Sequence, residues 1–239
     1  MAVARKILAW LSVPLICMLA LIGYIARPFN PDNNRLLAWT LARVGRCLLG
    51  MKRPLYGAEN MPQDRPTVII ANHQQNDDLF VVGDLLPPRT VAVGKSSLVW
   101  LPFLGQVFWL GGNIILNRGR SHKAVAAMQA TSDAIRNDRK SIWVFPEGTR
   151  SRGRGLGSFK KGAFHTAIAA GAPITMVCAG EYHSQTRGWA GRRKPVPVHI
   201  LPPVETTGLT RDDVPELMAR CHQQMADAIT ALGHRPGTA

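Results

Sequence analysis

A histidine and an aspartate five positions apart, His73 and Asp78, are the pair in this sequence best suited to acid–base chemistry. A carboxylate that holds one ring nitrogen of an imidazole fixes its tautomer and leaves the other nitrogen free to take a proton. The pair lies in the polar stretch 71–78, directly after the β-branched run 67–70. A polar turn with an Asn or Asp helix cap has the same composition, so this stretch by itself fits both interpretations.

Charged side chains also stand just after three short apolar runs further along the chain, namely Lys95, Arg118, Glu147 and Arg150. A guanidinium group matches the geometry of phosphate in a bidentate way, so Arg118 and Arg150 can clamp one phosphate, with Lys95 as a third cation. Taken alone, Arg118 and Arg150 are each more typical of a solvated surface charge. No single segment therefore indicates a phosphate site, and the segments have to be considered together.

From residue 67 onward the pattern alternates between strand and helix. Strands are predicted at 67–71, 90–93, 113–116, 141–145, 173–178 and 196–200, and helices at 78–86, 121–137, 161–170 and 213–232. Such alternation predicts an α/β fold, a sheet flanked by helices. The ligand crevice of these sheets lies at the carboxyl ends of the strands, and the polar segments follow the predicted strand ends at 71, 116 and 145.

The first fifty residues have a different character. Residues 7–25 form an uncharged segment that is just long enough to span a bilayer core. A cleaved signal peptide is the rival interpretation, although the apolar run is long for one and no clear cleavage site follows. Pro14 and Gly23 can bend this segment, so both a spanning and a re-entrant path stay open.

A second helix is predicted at 34–50, with an apolar face and a basic face that carries Arg35, Arg43 and Arg46. A basic amphipathic helix can lie among lipid headgroups, and it can equally pack on its own domain. The stretch 54–66 is rich in Pro, Gly and Asn and reads as a linker. We therefore divide the chain into a membrane-associated part, 1–50, and a catalytic domain, 51–239.

The charge balance favours anionic partners. Lys and Arg number 29 against 15 Asp and Glu, which gives a net charge of +14. An excess of this kind suits anionic lipid, phosphorylated ligands or nucleic acid. Because there is no aromatic–basic repeat of the RNA-binding kind, nucleic acid is the weaker candidate. The four cysteines are scattered, which favours a reducing compartment and argues against a zinc site.

Taken together, the segments resemble in order and approximate spacing the motifs of the glycerolipid acyltransferase family. The resemblance rests on Asn72-His73-Gln74-Gln75-Asn76-Asp77-Asp78, residues 94–106, residues 112–118 and Phe145-Pro146-Glu147-Gly148-Thr149-Arg150. It extends over residues 65–232, and the hydrophobic N-terminal segment also fits. The resemblance implies a mixed sheet flanked by helices and the transfer of an acyl group from a thioester to the 2-hydroxyl of a 1-acylglycerol 3-phosphate.

The resemblance also implies residue roles. His73 is the general base, and Asp78 orients it. Phosphate binding is assigned to Arg118, Glu147, Gly148, Thr149 and Arg150, with Lys95 as a lesser contributor. Because Glu147 is itself an anion, we expect it to hold a site arginine or an acceptor hydroxyl rather than the phosphate.

The substrates and the place of action follow from the same resemblance. The acceptor is lysophosphatidic acid and the donor is acyl-coenzyme A or acyl carrier protein, with no cofactor and no metal. Such donors are cytoplasmic, so the catalytic domain is expected on the cytoplasmic face of the cell inner membrane, against anionic lipid. The basic loop 187–194 is expected to help dock the membrane or the donor, although a solvated loop has the same composition.

One segment departs from the family pattern. The fourth motif of the family contains two prolines, and here Pro173 is present while Met176 stands at the second position. Because this motif of the family shapes the acyl or acceptor pocket, we expect the change at Met176 to affect which acyl chain or acceptor is preferred.

Three rival functions remain open from the sequence. The first is an acyltransferase with another acceptor, such as glycerol 3-phosphate or another lysolipid. The second is a metal-dependent phosphohydrolase that uses His73, Asp77, Asp78 and Glu147 as ligands. The third is a non-catalytic protein that binds anionic lipid, in which His73 has no task.

Overall fold

A mixed sheet forms the centre of the computed structural model, which describes residues 2–116, 131–183 and 195–233. Its strands are β1 (Leu55–Tyr56), β2 (Val68–Ala71), β3 (Thr90–Lys95), β4 (Ile114–Leu116), β5 (Ser141–Val144), β6 (Ile174–Ala179) and β7 (Val198–Ile200). The strand order is β1-β7-β6-β2-β5-β3-β4. Neighbouring strands are parallel except β6 and β7, which are antiparallel. The predicted fold class, a mixed sheet flanked by helices, is confirmed.

The helices are α1 (Ala2–Ala26), α2 (Pro31–Leu49), α3 (Asp78–Val82), α4 (Leu104–Leu110), α5 (Gly162–Ala170) and α6 (Val214–Gly233). Short 3-10 turns lie at 58–60, 83–85, 96–100 and 211–213. Residues 131–136 are also helical, so the predicted helix 121–137 is present in the part of it that the structure describes.

The side chains of β2 alternate between two cores, as the pleat of a strand requires. Val68 and Ile70 belong to a core formed with α5 and α6, whereas Ile69 and Ala71 belong to a core on the opposite face, where α3 lies. All four residues are buried. A strand that is buried on both faces reads as a continuous apolar run, which is why the sequence pattern located it.

A third apolar cluster joins the N-terminal helices to the sheet domain. Leu41 and Leu49 of α2 pack with Phe80 of α3 and Val107 of α4. Helix α1 adds a buried stripe along most of its length, formed by Ala9, Val13, Cys17 and Tyr24. The opposite side of α1 is apolar and exposed, and residues Val3–Ala26 are long and apolar enough to cross a membrane. Helix α1 therefore lies against the domain instead of projecting from it.

Four elements differ from the sequence prediction. The helix predicted at 78–86 is α-helical only over Asp78–Val82 and continues as a 3-10 turn, Gly83–Leu85. The stretch 54–66, read as a linker, contains β1, because β1 pairs only with the distant strand β7 and has no local pattern of its own. Helix α2 begins at Pro31, where the side chain of Asn30 accepts the N–H of Asp32. Helix α4 was missed because it has only seven residues, begins two residues after Pro102 and contains Gly105.

Candidate active site

The polar stretch after β2 lies at the centre of the sheet, with β5 on one side and β6 on the other. Asn72 extends the pairing with β6 through its side chain, since it donates to the carbonyl of Ala179 at 2.9 Å and accepts the N–H of Ala179 at 2.8 Å. Gln74 repeats this two residues later by donating to the carbonyl of Gly180 at 2.8 Å. These contacts fix the backbone on both sides of His73.

His73 and Asp78 are in direct contact, with 2.5 Å between Nδ1 of the ring and Oδ2 of the carboxylate. The contact forms because α3 begins at Asp78, so the chain turns back on itself within five residues. The backbone N–H groups of Gln74 and Gln75 donate to the same oxygen, at 2.9 and 3.1 Å. The other oxygen, Oδ1, accepts the hydroxyl of Tyr182. Four donors therefore hold this carboxylate in one place.

The imidazole of His73 has one covered face and a partly open edge. The ring of Phe145 stacks on it, with the ring centroids 4.0 Å apart and 16° between the planes. The His73 side chain keeps 19% of its surface exposed, whereas Asp78 keeps 4%. With Nδ1 engaged by the carboxylate, Nε2 is the nitrogen that can take a proton from a ligand.

Glu147 holds the backbone next to the histidine. It is buried, and its two oxygens accept the N–H of His73 at 2.7 Å and the N–H of Gly157 at 2.9 Å. Burial raises the pKa of Glu147, and these two hydrogen bonds oppose part of the rise. We expected Glu147 to hold an arginine or an acceptor hydroxyl. Within the described residues its observed partners are backbone groups instead, so it acts as a brace for His73.

The loop that follows Glu147 is hydrogen-bonded to the turn after β2, which contains His73. The N–H of Ser151 donates to the carbonyl of His73 at 2.8 Å, and the N–H of Arg152 donates to the carbonyl of Gln74 at 3.1 Å. Together with the hydrogen bond from His73 to Glu147, these bonds attach the turn after β2 to the loop that follows β5. The two motifs at the ends of adjacent strands therefore form one hydrogen-bonded unit.

Those predicted phosphate-binding residues that the structure describes lie at the same edge of the sheet. Nε of Arg150 is buried and has no hydrogen-bond partner among the described residues. Gly148 has a positive φ of 69°, which glycine adopts without strain, and Thr149 next to it is exposed. Lys95 is exposed at the end of β3, beside the strand of Glu147. Arg118 lies outside the described residues, as does the basic loop 187–194.

Two residues of the site were not predicted from the sequence, Phe145 and Tyr182. Phe145 was within a quoted motif, but its stacking on the imidazole depends on the β2–β5 pairing. Tyr182 follows β6, whose carboxyl end lies beside that of β2, and the topology was the only signal that pointed to it. Among the described residues, no three His, Cys, Asp or Glu side chains lie close enough together to hold a metal ion.

Comparison with known proteins identifies the family. The family model described as "Acyltransferase" matches residues 52–179, which is more than half of the chain. This chain belongs to the acyltransferase family. The match covers His73, Asp78, Glu147 and Arg150, and it ends at the last residue of β6. The acyltransferase family thus shares the segment of this chain that builds the site.

Individual relatives cover nearly the whole acyltransferase chain. The 1-acyl-sn-glycerol-3-phosphate acyltransferase of Haemophilus influenzae is 39% identical over 235 residues, 95% of each chain. The enzyme of the same name from Escherichia coli is 37% identical over 235 residues, 95% of this chain and 93% of that one. The crystal structure of the 1-acyl-sn-glycerophosphate acyltransferase of Thermotoga maritima shares the fold, with a TM-score of 0.75 and 22% identity over 98% of this chain and 99% of that one.

Proposed function

We propose that this chain transfers a fatty acyl group from an acyl thioester to the 2-hydroxyl of 1-acyl-sn-glycerol 3-phosphate, giving phosphatidic acid. The contact between Nδ1 of His73 and Asp78 at the end of the central strand carries this proposal. It supplies an oriented base whose Nε2 is not engaged by Asp78, and the loop of Arg150 is hydrogen-bonded to the same turn through the N–H of Ser151. The names of the relatives from Haemophilus influenzae and Escherichia coli specify the same acceptor.

In the proposed reaction, Nε2 of His73 takes the proton of the acceptor hydroxyl as the oxygen attacks the thioester carbonyl. The C–S bond then breaks, and the thiolate leaves and receives the proton from the imidazolium. The electron pair of the O–H bond thereby becomes the new C–O bond. A base of this kind contributes about a hundred- to ten-thousand-fold in rate. Asp78 fixes the tautomer, and Phe145 restricts the tilt of the ring.

The transfer is direct, without an acyl-enzyme. Cys178 is the cysteine nearest to the site in sequence, on β6, but it is fully buried, and burial raises its pKa to about 12. A thiol in that state is a poor nucleophile. No Gly-x-Ser-x-Gly segment occurs in the sequence. The oriented imidazole can instead act on the acceptor hydroxyl itself.

The acceptor phosphate is assigned to the basic edge of the site. The buried Nε of Arg150 has no partner in the part of the chain that the structure describes, and Lys95 adds an exposed cation at the end of β3. Arg118, two residues after the end of β4, completes the proposed set from the sequence. Glu147 contributes by holding the backbone of His73, and Gly148 and Thr149 form the turn between the two.

We place the enzyme on the cytoplasmic face of the cell inner membrane, where acyl-coenzyme A and acyl carrier protein are found. Helix α1 carries apolar side chains on its exposed side, while its buried stripe packs on α2, α3 and α4. If α1 crossed the bilayer, these packed helices would have to enter the hydrocarbon with their charged residues, at high cost. We therefore propose that α1 lies within one leaflet and that it is retained, since its removal would uncover the third cluster.

An acceptor panel tests the proposal against its rivals. Purified full-length protein is supplied with one long-chain acyl-coenzyme A and, in separate reactions, lysophosphatidic acid, glycerol 3-phosphate, lysophosphatidylcholine or lysophosphatidylethanolamine. We expect acyl transfer to lysophosphatidic acid at the highest kcat/KM, both with and without EDTA. Preferred transfer to another acceptor contradicts the assigned substrate, and loss of activity in EDTA favours the metal-dependent rival.

A further inference from the structure

Asp77 is a second carboxylate beside the catalytic pair, and its side chain contacts helix α1. Asp77 is buried to 2% exposure, and its Oδ1 accepts a hydrogen bond of 3.0 Å from Nε1 of Trp10. The ammonium group of Lys6 lies 3.6 Å from Oδ2. Both partners are on α1, and Trp10 is 67 residues away from Asp77 in the chain. The proposed reaction uses none of these three residues.

Asp77 is the residue directly before α3, and it caps the amino end of this helix. Its carbonyl accepts the N–H groups of Phe80 at 2.8 Å and Val81 at 3.1 Å, and the next residue is Asp78. The ring of Trp10 also packs on that of Phe80, with the centroids 5.1 Å apart. Helix α1 thus holds the first turn of α3 through one hydrogen bond, one ion pair and one ring contact.

Helix α3 depends on such outside contacts. It has five residues, and a helix this short has little stability of its own. Its first residue must nevertheless keep a carboxylate oxygen 2.5 Å from Nδ1 of His73. A buried carboxylate without a donor is also costly, so loss of the indole N–H favours a shift of Asp77 toward water. Any such shift carries Asp78 with it.

We propose that Trp10 and Asp77 are positioning residues of the acyl transfer, which hold Asp78 in register with His73. Helix α1 then has two tasks: it carries the membrane-facing apolar surface, and it completes the catalytic turn. This inference rests on the proposed function, in which His73 is the base. A positioning role for Trp10 can be distinguished from membrane anchoring, because only the positioning role requires Trp10 when no bilayer is present.

The test uses full-length protein in detergent micelles, with separate kcat and KM values for lysophosphatidic acid and acyl-coenzyme A. Trp10→Phe keeps a ring against Phe80 and removes the N–H donor, and Asp77→Ala removes the acceptor. We expect each to lower kcat about tenfold, because small misplacements of a catalytic group cost one to two orders of magnitude, with both KM values nearly unchanged. Asp77→Asn keeps an oxygen for the indole and retains most of the activity.

Two comparisons separate positioning from general loss of structure. The double variant Trp10→Phe with Asp77→Ala is expected to lose no more than either single variant, since both changes break the same contact. Trp39→Phe is the matched control, because Trp39 is an exposed tryptophan on α2 that packs under Arg43, and its kcat should not change. Melting temperatures of all variants are measured in the same detergent.

The outcomes have distinct meanings. A kcat loss in both single variants, rescue in Asp77→Asn and no additivity in the double variant support the inference. Unchanged kcat in Trp10→Phe, or an effect confined to KM, overturns it while the wild type continues to form phosphatidate. A wild type that forms no phosphatidate refutes the proposed function, and the positioning role is refuted with it.

Discussion

The hydroxyl of Tyr182 donates a hydrogen bond to Oδ1 of Asp78, the carboxylate whose other oxygen holds the ring of His73. Tyr182 is 104 residues away from Asp78, in the segment that leaves β6, and it is buried to 1% exposure. Its backbone N–H also donates to the side chain of Gln74 at 3.1 Å. Burial and the nearby Asp78 charge raise the pKa of Tyr182 well above its ordinary value, so the phenol stays protonated as a donor.

Replacement of Tyr182 by phenylalanine should therefore impair catalysis. The change leaves Oδ1 of Asp78 buried without that donor, and an unmade buried hydrogen bond to a charged group costs enough to lower kcat about tenfold. The control is Tyr24→Phe, which removes a buried hydroxyl that donates to Asn34 at 3.2 Å, a residue whose own donors go to the carbonyls of Thr90 and Gly111. Both variants should lose thermal stability, but only Tyr182→Phe should lose kcat in the acyl-transfer assay. An equal kcat in the two variants would show that the tyrosine only supports the fold.

Glu147→Gln should show a pH-dependent difference in stability. Because burial raises the pKa of Glu147, the folded protein binds this proton more readily than the unfolded chain does. The contribution of the wild-type carboxyl to stability is thus fully present below its ordinary pKa and is lost as pH rises through the folded value. The wild-type melting temperature, relative to that of Glu147→Gln, should be higher at about pH 4.5 than at about pH 7.5. A constant difference across this range contradicts the raised pKa.

Arg150→Gln should raise the KM for lysophosphatidic acid. The change removes a charge-assisted contact to phosphate, which is worth roughly 1.5–3 kcal/mol, so we expect an increase of about ten- to a hundredfold, with the KM for acyl-coenzyme A unchanged. Arg154→Gln is the matched control in the same loop, because Arg154 is exposed and donates to the carbonyl of Ser151 at 2.9 Å. A similar KM change in the two variants would mean that the loop acts only through its overall charge.

The membrane-facing surface should include the segment before and within α4. Trp100 is 86% exposed, and Leu101, Phe103 and Trp109 are also exposed apolar side chains. Phe29, three residues after the end of α1, contacts Trp109 with 5.3 Å between the ring centroids. Exposed apolar surface of this extent is typical of membrane contact sites. We therefore expect Trp100 to lie in the interfacial region of the bilayer.

A fluorescent label on Trp100→Cys, in a Cys47→Ser background, measures this contact on vesicles that contain anionic lipid. Cys47 is the exposed cysteine of the chain, while Cys17, Cys178 and Cys221 are buried. The label at position 100 should emit at shorter wavelength and be quenched by spin-labelled lipid. Glu205→Cys, on the amino-end side of the sheet, should report water in the same samples. Identical emission at both positions contradicts the proposed orientation.

The sequence predicted those parts of the fold and site that are encoded locally. Strands such as β2 were recognised because a strand buried on both faces is an apolar run, and the His73–Asp78 pair because both members lie within one turn. Strand β1 was missed because it gains its hydrogen bonds only from β7, more than a hundred residues later in the chain.

The contacts that hold His73 and Asp78 in place could not be predicted from the sequence, because they too join residues that are far apart in the chain. Tyr182 meets Asp78 only because β6 lies beside β2, and Trp10 meets Asp77 only because α1 folds back over α3. The backbone contacts of Glu147 were not foreseen because its charge suggested a cationic partner, whereas among the described residues it accepts two backbone N–H groups. Residue type and spacing identify reactive groups, but tertiary pairing decides which neighbours position them.

The most direct measurement of the central claim compares wild type with His73→Ala in the formation of phosphatidate from lysophosphatidic acid and a long-chain acyl-coenzyme A, with EDTA throughout. Loss of a general base predicts a fall in kcat of at least about a hundredfold, with no change in melting temperature beyond that of an exposed-site control. Phosphatidate formed by the wild type and lost in the variant is the predicted result. Equal rates in the two proteins would contradict the assignment of His73 as the base, and with it the mechanism.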